Sequence, residues 1–158
     1  MPNLIVTYLA SFLIWVLFAG LAILWLINGT IKKEIVIHAI KSTVFAWIFT
    51  SMVKSFFPTS RPFEFNGLPP LTITLPLDGA FPSIHTATAF ALAFSVWLHN
   101  KKSGLVFILG AILVGIGRVS ANVHFPLDVV FGAAIGIGAA FLLKNFHFSK
   151  LLDLKKGK

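Results

Sequence analysis

Cysteine is absent from this chain, and only five of its 158 residues are acidic. The first absence excludes disulfides and thiolate metal sites. The second leaves no cluster of carboxylates to hold a metal ion, and neither metal nor cofactor is expected. Charged residues of both signs make up 11% of the sequence, too few to cover a soluble domain of this size. Apolar residues take their place, at 57%. The composition specifies an integral membrane protein, all-α and polytopic, with one domain over residues 1–158. Bases outnumber acids thirteen to five, for a net charge of +8. In so apolar a chain the expected partner of that charge is an anionic inner leaflet, not nucleic acid.

The N-terminus lacks the basic segment of a cleaved signal peptide. Its apolar run from Leu4 to Ile27 is 24 residues long, too long for a signal and suited to a span. Five spans are predicted, at about 4–28, 34–57, 83–99, 104–119 and 124–144, followed by a basic tail over 145–158. The third is short, about 24 Å at 1.5 Å per residue, so its start is expected inside the protein. Pro58 to Pro82 is a long connection with six of the eight prolines. Within it, Leu71–Leu75 reads as ordered proline-rich loop before short strand. Gly132, Gly136 and Gly138 allow close helix packing, assigned to the bundle before a dimer; the oligomeric state stays open.

Charge sets the orientation. The segments Ile31–Glu34 and His99–Ser103 and the tail are basic, and cytoplasmic loops carry an excess of Lys and Arg. Placing them inside puts ten of the thirteen bases on the cytoplasmic side. The C-terminus is then cytoplasmic and the N-terminus external. The three remaining bases, Lys54, Arg61 and Arg118, fall on the external face.

Those three bases belong to three clusters at the edges of apolar runs: Lys54-x6-Arg61-Pro62, Pro82-Ser83-Ile84-His85, and Arg118-x5-His124-x3-Asp128. A charge at mid-span costs roughly 2.5–3.5 kcal/mol, so ionisable groups gathered at one membrane face mark function. Arginine forks suit phosphate oxygens and lysine adds a point charge. His124 and Asp128 lie four apart on one helical face. The carboxylate can fix one ring nitrogen and leave the other to act as nucleophile or base. Ser83 is a natural N-cap, and a helix start binds anions. His85 in the first turn could protonate a leaving oxygen. Each cluster alone also has a plainer reading: a snorkelling Lys54, a solvated Arg61, a helix-end Arg118, a structural His–Asp pair, an ordinary capped helix. Glu64 and Asp78, the external acids outside the clusters, read as solvated loop charges.

Together and in this order, the three clusters resemble the type 2 phosphatidic acid phosphatase family of membrane lipid phosphatases. Ala80-Phe-Pro-Ser-Ile-His-Thr-Ala and Val123-His-Phe-Pro-Leu-Asp are similar to its bacterial undecaprenyl-diphosphatase branch. The resemblance spans residues 54–128. It implies a phosphohistidine on His124, oriented by Asp128, with His85 protonating the leaving oxygen and then activating water. Lys54, Arg61, Ser83 and Arg118 would hold the phosphoryl oxygens. The sequence departs from the family at Ile84, where glycine is usual, and at Gly117, where serine is usual. One of six customary spans is also missing.

The reaction implied is hydrolysis of a lipid phosphate at the external face, undecaprenyl diphosphate first. Phosphatidylglycerophosphate and phosphatidate are alternatives within the same chemistry. A non-catalytic lipid-phosphate-binding protein and a small proton-relay transporter are readings of other classes. A relay needs ionisable groups at mid-span, whereas His38 and Lys41 sit near the cytoplasmic end of theirs and read as interfacial.

Overall fold

A computed structural model describes residues 3–27 and 30–144. Within them the chain is helical, with no strand: α1 (Leu4–Ser11), α2 (Leu13–Ile27), α3 (Thr30–Phe56), α4 (Pro62–Asn66), α5 (Ile84–His99), α6 (Lys101–Ser120) and α7 (Pro126–Leu143). Leu71–Leu75 is bend and loop. The basic tail lies outside the described residues.

The five predicted spans map onto these helices with differences at their ends, the fourth beginning at Lys101 and not at Gly104. The first is a bent pair, α1 and α2 meeting at Phe12 with a 53° change of direction. The second begins at Thr30, so the basic segment Ile31–Glu34 is helical and not a separate connection. The last begins at Pro126, which leaves His124 in the connection before it. By length and apolarity α3, α6 and α7 can each cross a membrane, and the bent pair adds a fourth if its two helices count as one span.

Helix α5, with 16 residues, falls short of that measure. It stands instead at the centre of the bundle, packed against α3, α6 and α7. Its alanines, threonines and serine are buried around most of its circumference. Small side chains suit this place because they let three helices approach one axis. Where α7 crosses α5, Gly132 and Gly136 take up the closest approach. A Cβ on Gly132 would lie 2.6 Å from the Ser83 carbonyl oxygen, and one on Gly136 would strike the Ala87 carbonyl oxygen. The glycine pattern thus serves the bundle interior. Gly138, with nothing near it, takes no part.

Large apolar side chains point outward around the rim. Leu4, Trp15, Val106 and Leu142 are each at least 65% exposed. In water such a surface would drive association; around a membrane bundle it faces lipid.

Candidate active site

The chain direction brings all three clusters to one end of the bundle. Helices α3 and α6 finish there with Lys54 and Arg118 in their last turns, while α5 and α7 begin there. A cavity of about 510 Å³ opens at this end, with Lys54, Arg61, His85, Arg118 and His124 in its wall. These five come from five different segments of chain: the end of α3, the long loop, the start of α5, the end of α6 and the connection before α7. Ser83 and Asp128 stand behind the wall. Ser83 is fully buried, its backbone N–H donates to the Asp128 carbonyl (3.0 Å), and its hydroxyl accepts from Thr86 (3.0 Å). It occupies the N-cap position of α5, but its side chain makes no capping bond.

Asp128 takes the third position of α7, after Pro126 in the first turn. Its Oδ2 accepts the Phe125 N–H at 2.8 Å, which satisfies one of the open donors of the helix start. The same oxygen lies 3.4 Å from His124 Nδ1, in contact but not aligned as a hydrogen bond. The carboxylate thus faces one ring nitrogen and leaves Nε2 as the other reactive position. Both side chains are almost wholly buried. Burial pushes the His124 imidazole down to about 4. The Asp128 carboxylate opposes this, and the Arg118, Arg61 and Lys54 charges reinforce it. His124 is therefore neutral at neutral pH, the form a nucleophile requires.

The three cations are neither snorkelling nor solvated: Lys54, Arg61 and Arg118 are all buried. They differ in how their donors are used. Arg61 is 2% exposed and donates to the carbonyls of Asp78 (Nε, 2.9 Å), Val123 (Nη1, 2.7 Å) and Gly79 (Nη2, 3.1 Å). It ties the long loop to the connection that carries His124. Among the described residues the Arg118 side chain makes a single bond, Nη1 to the Ala10 carbonyl at 3.1 Å. Its buried Nε has no partner among the described residues. An unpaired buried donor is costly unless something is meant to meet it, which makes Arg118 the most available anion donor in the wall.

The two loop acids correct the sequence reading. Glu64 is exposed, as expected, but it also accepts the Arg61 backbone N–H (3.2 Å) and caps α4. The order Arg-Pro-x-Glu carries that signal, with proline at the first helical position and glutamate at the third. Asp78 is also engaged. Its Oδ1 is 2.8 Å from Arg61 Nη2, and its Oδ2 is 3.1 Å from Lys54 Nζ. Burial would raise its pKa, but Lys54 and Arg61 outweigh that and hold it below the usual carboxylate range. No motif pointed to Asp78. The available signal was three external cations with two external acids to answer them.

The departures at Ile84 and Gly117 have structural answers. Ile84 lies in the wall of the cavity and of a second, apolar one of about 350 Å³, which shares Trp15, Trp47 and His85 with the first and runs on between α2 and α3. An apolar side chain fits that junction. At Gly117 a Cβ would come within 2.7 Å of the Leu9 backbone, so serine would force α1 off α6. At the far end of the bundle, His38 is buried and not interfacial. It contacts His99 Nε2 (3.0 Å) and the Ala140 carbonyl (2.8 Å), tying α3, α5 and α7 together. His99 had no assigned part in the sequence reading.

Fold and site define a class: a polytopic helical membrane protein whose cations and histidines meet in a cavity at one end. Comparison with known proteins supplies the family. The PAP2 superfamily profile matches residues 35–151, and the chain belongs to that superfamily. It is 34% identical over 143 residues to the bacitracin transport permease protein BcrC of Bacillus licheniformis, covering 90% of this chain and 70% of that one. It is 28% identical over 129 residues to the undecaprenyl-diphosphatase BcrC of Bacillus subtilis, covering 82% and 65%. The chain thus spans about two thirds of the length of these relatives. The crystal structure of Aquifex aeolicus LpxE is similar, with a TM-score of 0.69 at 34% identity over 87% of this chain and 79% of that one.

Proposed function

We propose that this protein is a membrane-embedded lipid phosphatase, that its first substrate is undecaprenyl diphosphate, and that it acts through a phosphohistidine on His124. The observation that carries the reading is the meeting of Lys54, Arg61, Arg118, His85 and His124 in one cavity. His124 Nε2 attacks the terminal phosphorus, and the bond from phosphorus to the bridging oxygen breaks. His85 gives that oxygen a proton, and the lipid monophosphate leaves. Water then attacks the phosphohistidine while His85 takes its proton, the phosphorus–nitrogen bond breaks, and inorganic phosphate departs. Asp128 stabilises the charge that develops on His124. Lys54, Arg61, Ser83 and Arg118 hold the phosphoryl oxygens, as transfer of this kind depends on positioning and charge stabilisation. The apolar cavity between α2 and α3 suits the lipid tail.

The distribution of Lys and Arg supports an external position for this end of the bundle. Metal is no part of the mechanism. The test is phosphate release by detergent-solubilised protein with chelator present, offered undecaprenyl diphosphate, phosphatidylglycerophosphate and phosphatidate in parallel. The expected result is chelator-resistant release, fastest with the polyprenyl diphosphate and abolished in His124→Ala. Preference for a glycerolipid would keep the chemistry and change the substrate. No release by folded protein, or equal release by His124→Ala, would refute the reading.

A further inference from the structure

The phosphate chemistry above needs free cations, yet two of the three are already bridged by a carboxylate. Asp78 sets one oxygen on Arg61 and the other on Lys54, as two oxygens of a phosphate would. We propose that the Asp78 side chain is an internal stand-in for the substrate's phosphate: it holds the Lys54 and Arg61 charges until an arriving headgroup displaces it, and it competes with product phosphate after hydrolysis. The inference deepens the phosphatase reading and takes the identity of the anion from it.

The geometry indicates which partner moves. The side chains of Lys54 and Arg61 are 9% and 2% exposed, whereas that of Asp78 is 53% exposed. The cations cannot swing out; the carboxylate can. The backbone beneath it is fixed, because Arg61 Nε holds the Asp78 carbonyl and Lys54 Nζ holds the Gly79 carbonyl. Rotation of one side chain therefore frees the donors without opening the loop. Leu71, Ala80 and Phe81 anchor that loop on either side, to Ala121 and Thr59. The exchange favours a headgroup with two or more negative charges. Such a group replaces a single charge on Lys54 and Arg61 and adds a contact to the spare donor of Arg118, which the carboxylate bond set leaves unused.

The probe is inorganic phosphate, bound to the full chain in detergent and read by tryptophan fluorescence, since Trp15 and Trp47 line the cavity. Asp78→Asn keeps the side chain's shape and removes its charge. It should bind phosphate about tenfold more tightly than wild type. In turnover assays its KM should fall and inhibition by product phosphate should strengthen. Phosphate binding that is unchanged or weaker in Asp78→Asn would overturn the proposal and leave Asp78 as a positioning residue for Lys54 and Arg61. A measurement on the wild type covers a variant that does not fold. The chain has three aspartates, Asp78, Asp128 and Asp153, so a carbon-13 carboxyl label gives three resonances. The Asp78 resonance should move toward that of a solvated carboxylate as phosphate saturates; one that stays fixed counts against displacement. If wild type binds phosphate but hydrolyses no lipid phosphate, the function above fails, while the affinity ratio still decides the part played by Asp78.

Discussion

Replacing Arg61 and Arg118 with alanine in turn should separate stability from catalysis, although the two residues look equivalent in the motif pattern. Arg61→Ala takes the Arg61 donor from the carbonyls of Asp78 and Val123, leaves that of Gly79 to Lys54 Nζ, and leaves the Asp78 carboxylate with Lys54. Each unsatisfied buried acceptor costs about 1–3 kcal/mol, and the ion pair adds little because Asp78 is half-exposed and keeps Lys54. After relaxation, and with some access of water to the loop, the expected loss is about 3–5 kcal/mol. For a chain of this length that is on the order of 10 °C in Tm. Arg118→Ala frees a single carbonyl, that of Ala10, and removes an unpaired Nε. Its stability cost should be about 1 kcal/mol or less. Its catalytic cost should be large. Two charge-assisted bonds to phosphate, each about 1.5–3 kcal/mol, correspond to roughly a hundred- to ten-thousand-fold in kcat/KM. Thermal unfolding in one detergent and phosphate release from one lipid substrate measure both quantities on the same preparations. Equal Tm losses for the two variants, or an Arg118→Ala protein within about threefold of wild-type kcat/KM, would refute the division of labour.

Two further outcomes follow from the site and the core. His124, depressed to about 4 by burial, stays in its neutral form well below the usual histidine range. The acid side of the kcat/KM profile should therefore fall only below about pH 5, and a limb centred near 6.5 would contradict that environment. Gly136→Val should destabilise the fold by about 1–3 kcal/mol or more, because its Cβ meets the α5 backbone. Gly138→Ala, with open space around it, should be neutral or stabilising by up to about 1 kcal/mol, and thermal unfolding distinguishes the pair.

The sequence made the helical membrane architecture legible because long apolar runs leave few alternatives, and the shortness of α5 put its start inside the protein, though not the whole helix at the centre of the bundle. The family was legible because three spaced motifs are joined in one order. Less visible were features set by contacts between distant segments. The break at Phe12 lies inside a long, mostly apolar run, with no proline or glycine beside it. The pairing of His38 with His99 joins residues 61 apart. Gly117 reads as a lost hydroxyl until α1 is seen resting on it. Arg61 and Arg118 carry the same charge in the sequence, and only their partners tell them apart.

The close crossing of α5 and α7 bears on the bilayer around the protein. Helix spans tilt to match membrane thickness, and side-chain interfaces slide to allow it. Here Gly132 and Gly136 bring main chain against main chain, with no compressible side chain between. The helix that opens with His85 and the helix that opens just after His124 are thus braced like the legs of a caliper. A change in membrane thickness that tilts one of these two helices is expected to carry the other with it, which would keep the gap between the two imidazoles.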